Sequence, residues 1–369
     1  MTRHATRPGG SARGGTAAPR TVVVDDSRFM RGLITDILEA GGVDVVGEAK
    51  DGTEVLSVVR DTDPDVVTMD VEMPQMDGIE AVEELMREHP TPVLMLSAYT
   101  EDGAEETFEA LDAGAVDFFA KPGGEVSMGV SRLEDQLVDT VRSVAGADIS
   151  GGGASTTTAS RSATGTTAAS TATSTHDVEP NTTVVIGSST GGPDAVERVL
   201  SGLPGDADIR VLVVQHMPEA FTGRFAERLD DACDLDVSEA TDGARIGRGE
   251  ALVARGGAHM EVSDYRDGRL RVKLVDEDRG QGVRPSANVT MESAAAVIDG
   301  PLVGVILTGM GSDGADGVEA ISRAGGRVVA QDEQSCVVYG MPKRAAETGS
   351  VDSVVPLDDV AVGIVGGER

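Results

Sequence analysis

At 369 residues the chain is long enough for about two domains of ordinary size. Its 63 acidic against 31 basic residues give a formal charge of -32, which argues against a nucleic-acid partner, whose phosphates need a basic face. The apolar fraction of 40% is globular, but with 2% aromatic residues and no Trp the cores must be built from Val, Leu, Ile, Ala and Met.

Only four of the basic residues are Lys, and acid is spread along the whole chain, a balance that suits a surface solvated at high salt and a halophilic source. Cys233 and Cys336 follow no metal spacing and are too few for a disulfide framework, so both are expected to be reduced thiols without chemistry. No apolar run approaches the roughly 18 residues that span a bilayer, and MTRHATRPGGSARGGTAAPR lacks an apolar signal core. Residues 1–20 are expected to form a disordered tail, and the protein to be cytoplasmic, monomeric and not inserted in a membrane.

From residue 21, short β-branched runs alternate with amphipathic stretches: TVVV, then Phe29 to Leu38, DVVGEA, Val55 to Val59, DVVTMD, Ile79 to Leu85, PVLMLSA, Thr107 to Leu111 and VDFFAK. This predicts five strands interleaved with helices, and Leu133, Leu137, Val141 and Val144 predict a last helix that closes the first domain, 21–145.

Ligands of open parallel sheets sit at the carboxyl ends of the strands. Those positions hold Asp25 and Asp26 after VVV, Asp70 after DVVTM, Ser97 after VLML, and Lys121 after DFFA. Three converging carboxylates repel unless a hard cation lies among them, and Mg²⁺ accepts one or two carboxylates while keeping water and phosphate oxygens. Such a cation places a phosphoryl group in line with Asp70, with Lys121 and Ser97 on its oxygens. A single strand-end Asp usually does no more than cap a turn, and another phosphoryl-transfer enzyme with an aspartyl nucleophile is the competing reading.

DD, MDVEMPQMDG, LSA and FAKP in that order resemble the receiver domain of two-component response regulators over roughly residues 20 to 140. The resemblance implies a flavodoxin-like fold and phosphorylation of Asp70 by a chemotaxis histidine kinase. It further implies Mg²⁺ held by Asp25, Asp26, Asp70 and the backbone carbonyl of Glu72, with Phe118 at the aromatic switch position beside Ser97 and Lys121.

Residues 146–180 are Gly, Ser, Thr and Ala with hardly a larger apolar side chain, a composition that predicts a flexible linker. TTVVIG, RVLVVQH, PLVGVILTG and GRVVAQD then predict buried strands of a second, doubly wound and mostly parallel α/β domain, 181–366. The more polar, Gly-rich stretch from Glu250 to Val275 reads as an antiparallel hairpin excursion.

Gly187-Ser188-Ser189-Thr190-Gly191 fits the Gly-x-Ser-x-Gly turn that places a serine between a strand and a helix N-terminus, where free N–H groups face a developing oxyanion. The same geometry would suit a nucleotide phosphate, but no G-x-G-x-x-G stands here, and Asp206 and Asp208 lie in a loop. Of the five histidines only His216 directly follows a strongly apolar strand, while His259 reads as structural. Asp313, in the Gly-rich loop after VILTG, supplies a third edge position, and a carboxylate there would orient the imidazole. The chain order Ser, His, Asp differs from that of the common α/β-hydrolases.

GSSTGG, QHMP, the RPS of VRPSAN, LTGMGSDG and SCVVYGMP resemble the chemotaxis methylesterase CheB family over roughly residues 180 to 366. The resemblance implies that Ser189 is the nucleophile, His216 the general base and then acid, and Asp313 the orienting carboxylate. Backbone N–H groups around Thr190 and Met310 would form the oxyanion hole, with no cofactor in this domain. It implies hydrolysis of glutamate γ-methyl esters on methyl-accepting chemoreceptors through an acyl-enzyme, with deamidation of receptor glutamine as a second activity. Two departures stand out: Ser188 replaces the usual Ala and puts a second hydroxyl beside the nucleophile, and VRPSAN lacks the usual HRPSVD ending. The expected coupling is a receiver that covers the Ser189 cleft until Asp70 is phosphorylated. A phospho-regulated binding module and a general carboxyl esterase remain as rival readings.

Overall fold

A computed structural model of the chain describes residues 18–97, 101–121, 130–147, 178–277, 279–280 and 282–366. The predicted linker, apart from its first two and last three residues, and nearly all of the predicted N-terminal tail lie outside the described residues.

The first domain alternates β1 (Arg20–Val24), α1 (Arg28–Ala40), β2 (Asp44–Ala49), α2 (Gly52–Thr62), β3 (Val66–Asp70), α3 (Gly78–Glu88), β4 (Val93–Ser97), α4 (Glu101–Asp112), β5 (Asp117–Ala120) and α5 (Val130–Val144). The strands pair in parallel in the order β2-β1-β3-β4-β5, the flavodoxin-like order. β3 and β4 are buried along their whole length, which is why VVTMD and VLMLS read as continuous apolar runs. Ser27, Asp51 and Asp77 cap the first three helices, each accepting a hydrogen bond from a backbone N–H of the first turn.

The second domain runs β6 (Thr182–Ser188), α6 (Gly192–Ser201), β7 (Ile209–Gln215), α7 (Glu219–Ala232), β8 (Asp236–Glu239), β9 (Arg245–Ile246), β10 (Glu250–Val253), β11 (His259–Arg266), β12 (Arg269–Val275), α8 (Ala287–Val297), β13 (Leu302–Ile306), α9 (Ala315–Arg323), β14 (Arg327–Gln331), α10 (Met341–Glu347), β15 (Ser353–Val355) and α11 (Leu357–Val365). Seven strands form a parallel sheet in the order β15-β14-β13-β6-β7-β10-β8, and β11-β12-β9 form a small antiparallel sheet. The antiparallel excursion therefore begins at His259 rather than Glu250. Ala251, Leu252 and Val253 pair in parallel with β7 and belong to the main sheet. Four residues were too few to separate this strand from the polar stretch that follows it.

The chain leaves β6 for β7 on one side, while β13 packs on the other, so the sheet reverses direction at β6. The carboxyl ends of β6, β7 and β13 thus surround one crevice.

The loop that follows β3 imposes a tight constraint. The N–H of Gly78 donates to Val71 O at 2.8 Å, and a Cβ on Gly78 would lie 2.1 Å from the carbonyl oxygen of Asp70. Backbone cannot yield there as a side-chain tip can. Gly78→Ala is expected to destabilise the protein by about 2 kcal/mol or more, read as a lower urea midpoint of the full chain, and an unchanged midpoint would refute the constraint.

Candidate active site and phosphoacceptor pocket

At the carboxyl edge of the first sheet, the carboxylates of Asp25, Asp26 and Asp70 each offer an oxygen, all within 4.8 Å of one another. Asp25 and Asp70 are buried, and the Lys121 ammonium stands between them, 2.9 Å from Asp25 Oδ2 and 2.6 Å from Asp70 Oδ1. Burial pushes the Asp70 carboxyl up to about 6, against the pull of Lys121. The all-oxygen donor set fits a hard divalent cation, which would relieve the crowding of charge. Glu72 is exposed in the loop after β3. Ser97, at the end of β4, donates to Gly103 O at 3.1 Å.

Phe118 faces away from this pocket. Its ring stacks on Phe221 of α7 with centroids 4.7 Å apart, and Phe108 of α4 stacks on Phe225 at 5.9 Å. Four of the chain's six phenylalanines thus meet between the two domains. Ion pairs flank them, Arg228 to Asp112 at 3.0 Å and Arg224 to Glu105 at 3.2 Å.

In the second domain β6 ends at Ser188, and the turn places Ser189 beside the N-terminus of α6. Gly191 holds φ +71, and a Cβ there would lie 2.6 Å from the Val337 side chain, so glycine is required on two counts. The turn is braced from β13's end: Ser189 N donates to Thr308 O at 3.0 Å, and Thr308 Oγ1 donates to Thr190 O at 2.9 Å. Gln331 in turn accepts from Thr308 N at 2.7 Å.

His216, at the end of β7, places Nε2 2.7 Å from Asp313 Oδ2. Asp313 also accepts from Ser286 Oγ at 2.7 Å, Ala287 N at 2.6 Å and Asn288 N at 3.1 Å, at the N-terminus of α8. Burial alone would raise the Asp313 carboxyl, but these hydrogen bonds and His216 outweigh it and hold it below its ordinary range. With Nε2 committed to Asp313, Nδ1 is the ring nitrogen left for a proton, the reverse of the usual triad assignment. The N–H groups of Thr190 and Met310 donate to no other described group. His259 is buried at the start of β11, and burial with nearby Arg284 pushes its pKa down, in keeping with a neutral structural imidazole.

The roles of several contributors were not legible in the sequence. Ser286 and Asn288, part of the VRPSAN string, anchor the acid: the Asn288 side chain also accepts from Gly314 N and Gly317 N, each at 2.9 Å, fixing the loop that carries Asp313. Ser188 is fully buried, and its Oγ donates to Gln215 Oε1 at 2.6 Å, while Gln215 Nε2 donates to Ser189 O at 2.8 Å. The second hydroxyl is thus committed to holding the turn.

Ser189, His216 and Asp313 line a cleft of about 970 Å³ whose opposite wall comes from the first domain, including Asp117, Phe118, Phe119 and Thr140. Asp117, at the start of β5, is 6% exposed and accepts from Gly191 N at 3.3 Å. Burial pushes its carboxyl up to about 7, and the neighbouring charge of Asp194 adds to the shift. On the other side Ser143 of α5 contacts Met310 Sδ at 3.1 Å.

The family model of the CheB methylesterase matches residues 184–364, and that of the response regulator receiver domain matches residues 21–129. A protein-glutamate methylesterase/protein-glutamine glutaminase of Haloarcula marismortui is 60% identical over 94% of this chain and 96% of its own length. The chain belongs to the CheB methylesterase family. A relative of the same description from Natronomonas pharaonis is 59% identical over 93% of this chain and 96% of its own, and one from Pyrococcus abyssi is 40% identical over 94% and 92%. The crystal structure of the Thermotoga maritima CheB methylesterase catalytic domain is 38% identical and covers 50% of this chain and 96% of its own, with a TM-score of 0.48. No helix among the described residues is long and apolar enough to cross a membrane.

The bond from Ser188 to Gln215 yields a test of its own. Ser188→Ala leaves a buried amide oxygen without its donor and is expected to cost about 1–3 kcal/mol, read by chemical denaturation. Full stability in the variant would refute the brace.

Proposed function

We propose that this CheB-family chain is a phosphorylation-activated protein-glutamate methylesterase, acting on glutamate γ-methyl esters of chemoreceptors and deamidating their glutamines, in the cytoplasm. The observation that carries the reading is the His216–Asp313 pair, 2.7 Å apart, at the same sheet crevice as Ser189 and the free N–H groups of Thr190 and Met310.

Ser189 Oγ attacks the ester carbonyl carbon while His216 Nδ1 takes its proton. Asp313 fixes the tautomer and stabilises the imidazolium, and the Thr190 and Met310 N–H groups receive the oxyanion. Collapse of the tetrahedral intermediate breaks the bond to methoxide, which leaves as methanol with the proton from His216. Water, deprotonated by the same imidazole, then releases the glutamate carboxylate and restores Ser189. A glutamine amide follows the same path with ammonia as leaving group.

In the receiver, Asp70 would accept a phosphoryl group from a kinase phosphohistidine, with Asp25, Asp26, Asp70 and the Glu72 carbonyl holding Mg²⁺. The ion supplies positive charge for the phosphoryl oxygens. Lys121 and Ser97 are then drawn to the phosphoryl group. Domain limits at 21–145 and 181–366, with 146–180 as connector, complete the proposal. First-domain residues line the cleft beside Ser189, which supports the reading that the unphosphorylated form is the closed one.

Methanol release from methylated receptor membranes tests the activity: wild type is expected to be active and faster with a small-molecule phosphodonor, and Ser189→Ala to lose at least about 10³-fold. Retained release in Ser189→Ala would sink the catalytic assignment, and unchanged or lower release after deletion of residues 1–145 would sink the closed-state one.

Closure should also depend on pH. Asp117 binds its proton more tightly when docked, at about 7 against an ordinary 3.8, so docking is strongest below pH 4 and weakens as pH rises to about 7. Asp117→Asn keeps an acceptor for Gly191 N without the charge, and basal turnover at pH 8 is expected to fall about fivefold while phosphodonor-stimulated turnover is retained. Equal basal turnover in the two proteins would refute the charge argument.

A further inference from the structure

The small antiparallel sheet reverses the charge of the chain around it. Along β12, Leu270 and Val272 are buried while Arg269, Arg271 and Lys273 are exposed, so the basic side chains share the outer face. The register sets Arg245 of β9 opposite Arg271, and Arg266 of β11 opposite Arg269, while on the β11 side Asp264 stands opposite Arg271 and Glu261 pairs with Lys273 at 2.8 Å. Like charges directly opposed on one face destabilise a sheet. In a chain with 63 acidic and 31 basic residues, composition does not account for two such pairs.

Arg245, Arg266, Arg269 and Arg271 line a groove of about 170 Å³ together with Asp264 and Leu270. Asp264 pairs with Arg266 at 3.2 Å, and Glu250 lies 3.9 Å from Arg269. Arg245 and Arg271 have no carboxylate partner among the described residues.

We propose that this groove is an exosite for an acidic stretch of the polypeptide substrate, whose carboxylates pair with the Arg245 and Arg271 guanidinium groups. The proposal rests on the esterase reading above: each turnover leaves a glutamate carboxylate, so a substrate with several such side chains carries negative charge beside every remaining ester. Guanidinium forks match carboxylates two bonds at a time. The charges lie in a row along paired strands rather than around one point, which fits successive carboxylates better than a lone phosphate. The groove has no aromatic ring on which a base would stack.

The groove lies apart from the catalytic crevice. β11 and β12 run from their turn at residues 266–269 to the paired residues His259 and Val275, from which the chain continues to Ser286 at the Asp313 carboxylate. At the turn, Tyr265 Oη donates to Asn181 O at 3.4 Å just before β6, so the groove lies at the amino end of the main sheet, roughly 23 Å along β6 from Ser189, and a substrate that occupies both must span the domain.

The test is the double variant Arg245→Glu/Arg271→Glu in the full chain, with Arg245→Gln/Arg271→Gln as the milder form. For receptor membranes, KM is expected to rise about fivefold in the reversal variant with kcat unchanged, and hydrolysis of p-nitrophenyl acetate to stay at the wild-type level. Poly-L-glutamate is expected to bind wild type and not the Gln variant, in titration calorimetry at several KCl concentrations, with weaker binding as salt rises. An unchanged KM, a parallel loss with the small ester, or absent poly-L-glutamate binding would overturn the exosite. So would binding of inorganic phosphate that the Gln variant loses without a change in receptor KM. Wild type that binds poly-L-glutamate but releases no methanol would instead overturn the esterase reading and leave the acidic-segment site standing.

Discussion

Five consecutive residues of the first domain are held by two different sites, and the regulation proposed for this enzyme depends on that fact. At one end of the stretch, Lys121 spans Asp25 and Asp70. At the other, Asp117 meets Gly191 N beside the candidate nucleophile, and Phe118 stacks on α7. The span is about 13 Å of extended chain, and β5 is fixed between them by pairing with β4 from Asp117 to Ala120. A phosphoryl group that draws Lys121 toward itself must move or strain the segment that also carries the interdomain contacts. No longer relay is needed, because one short strand touches both sites.

The contact need not be strong. The two domains are covalently joined, and the connector proposed at residues 146–180, acting as a flexible chain, would keep their effective concentration at about a millimolar. An interface with an intrinsic dissociation constant of about 10 µM would therefore close about 99% of molecules, and a loss of about 3 to 5 kcal/mol on phosphorylation would shift the majority to the open form. Two stacked phenylalanine pairs and a few polar contacts are of the right order, since each aromatic pair adds about 0.5–1.5 kcal/mol beyond its buried area. A tighter interface would have made the switch harder to throw.

The sequence revealed the parts whose chemistry is tied to a strand end. Asp25, Asp70 and Lys121, like His216 and Asp313, follow apolar runs, and parallel-sheet topology alone gathers such positions at one edge. Residues that act through tertiary contact were not legible. Nothing local marks Asp117 as an interdomain group, since it precedes Phe118 as any polar residue might open a strand. Ser286 and Asn288 stood out only as part of a family string, and their work on Asp313 depends on α8 arriving beside the loop after β13. Ser188 read as a rival hydroxyl because sequence gives adjacency without direction. The strand reverses side at each residue, which sends Ser188 to Gln215 and leaves Ser189 at the crevice. β10 was absorbed into the hairpin because its apolar run was too short to declare a parallel partner.

Charge explains why the interface is built as it is. A chain of net charge -32 folded into two tethered domains tends to hold them apart at low salt. At the salt concentrations such a composition suits, the screening length is roughly 3 Å at 1 M, so this repulsion fades and so does the gain from exposed pairs such as Arg224–Glu105. Apolar contact is not lost in this way, and excluded salts strengthen it. A protein with six phenylalanines places four of them where the domains meet, two on each side. The Asp117 carboxyl, desolvated between the domains, is likewise shielded from bulk ions. The interdomain contact thus relies on the interactions that concentrated salt leaves intact, and surface ion pairs at its rim contribute mainly direction.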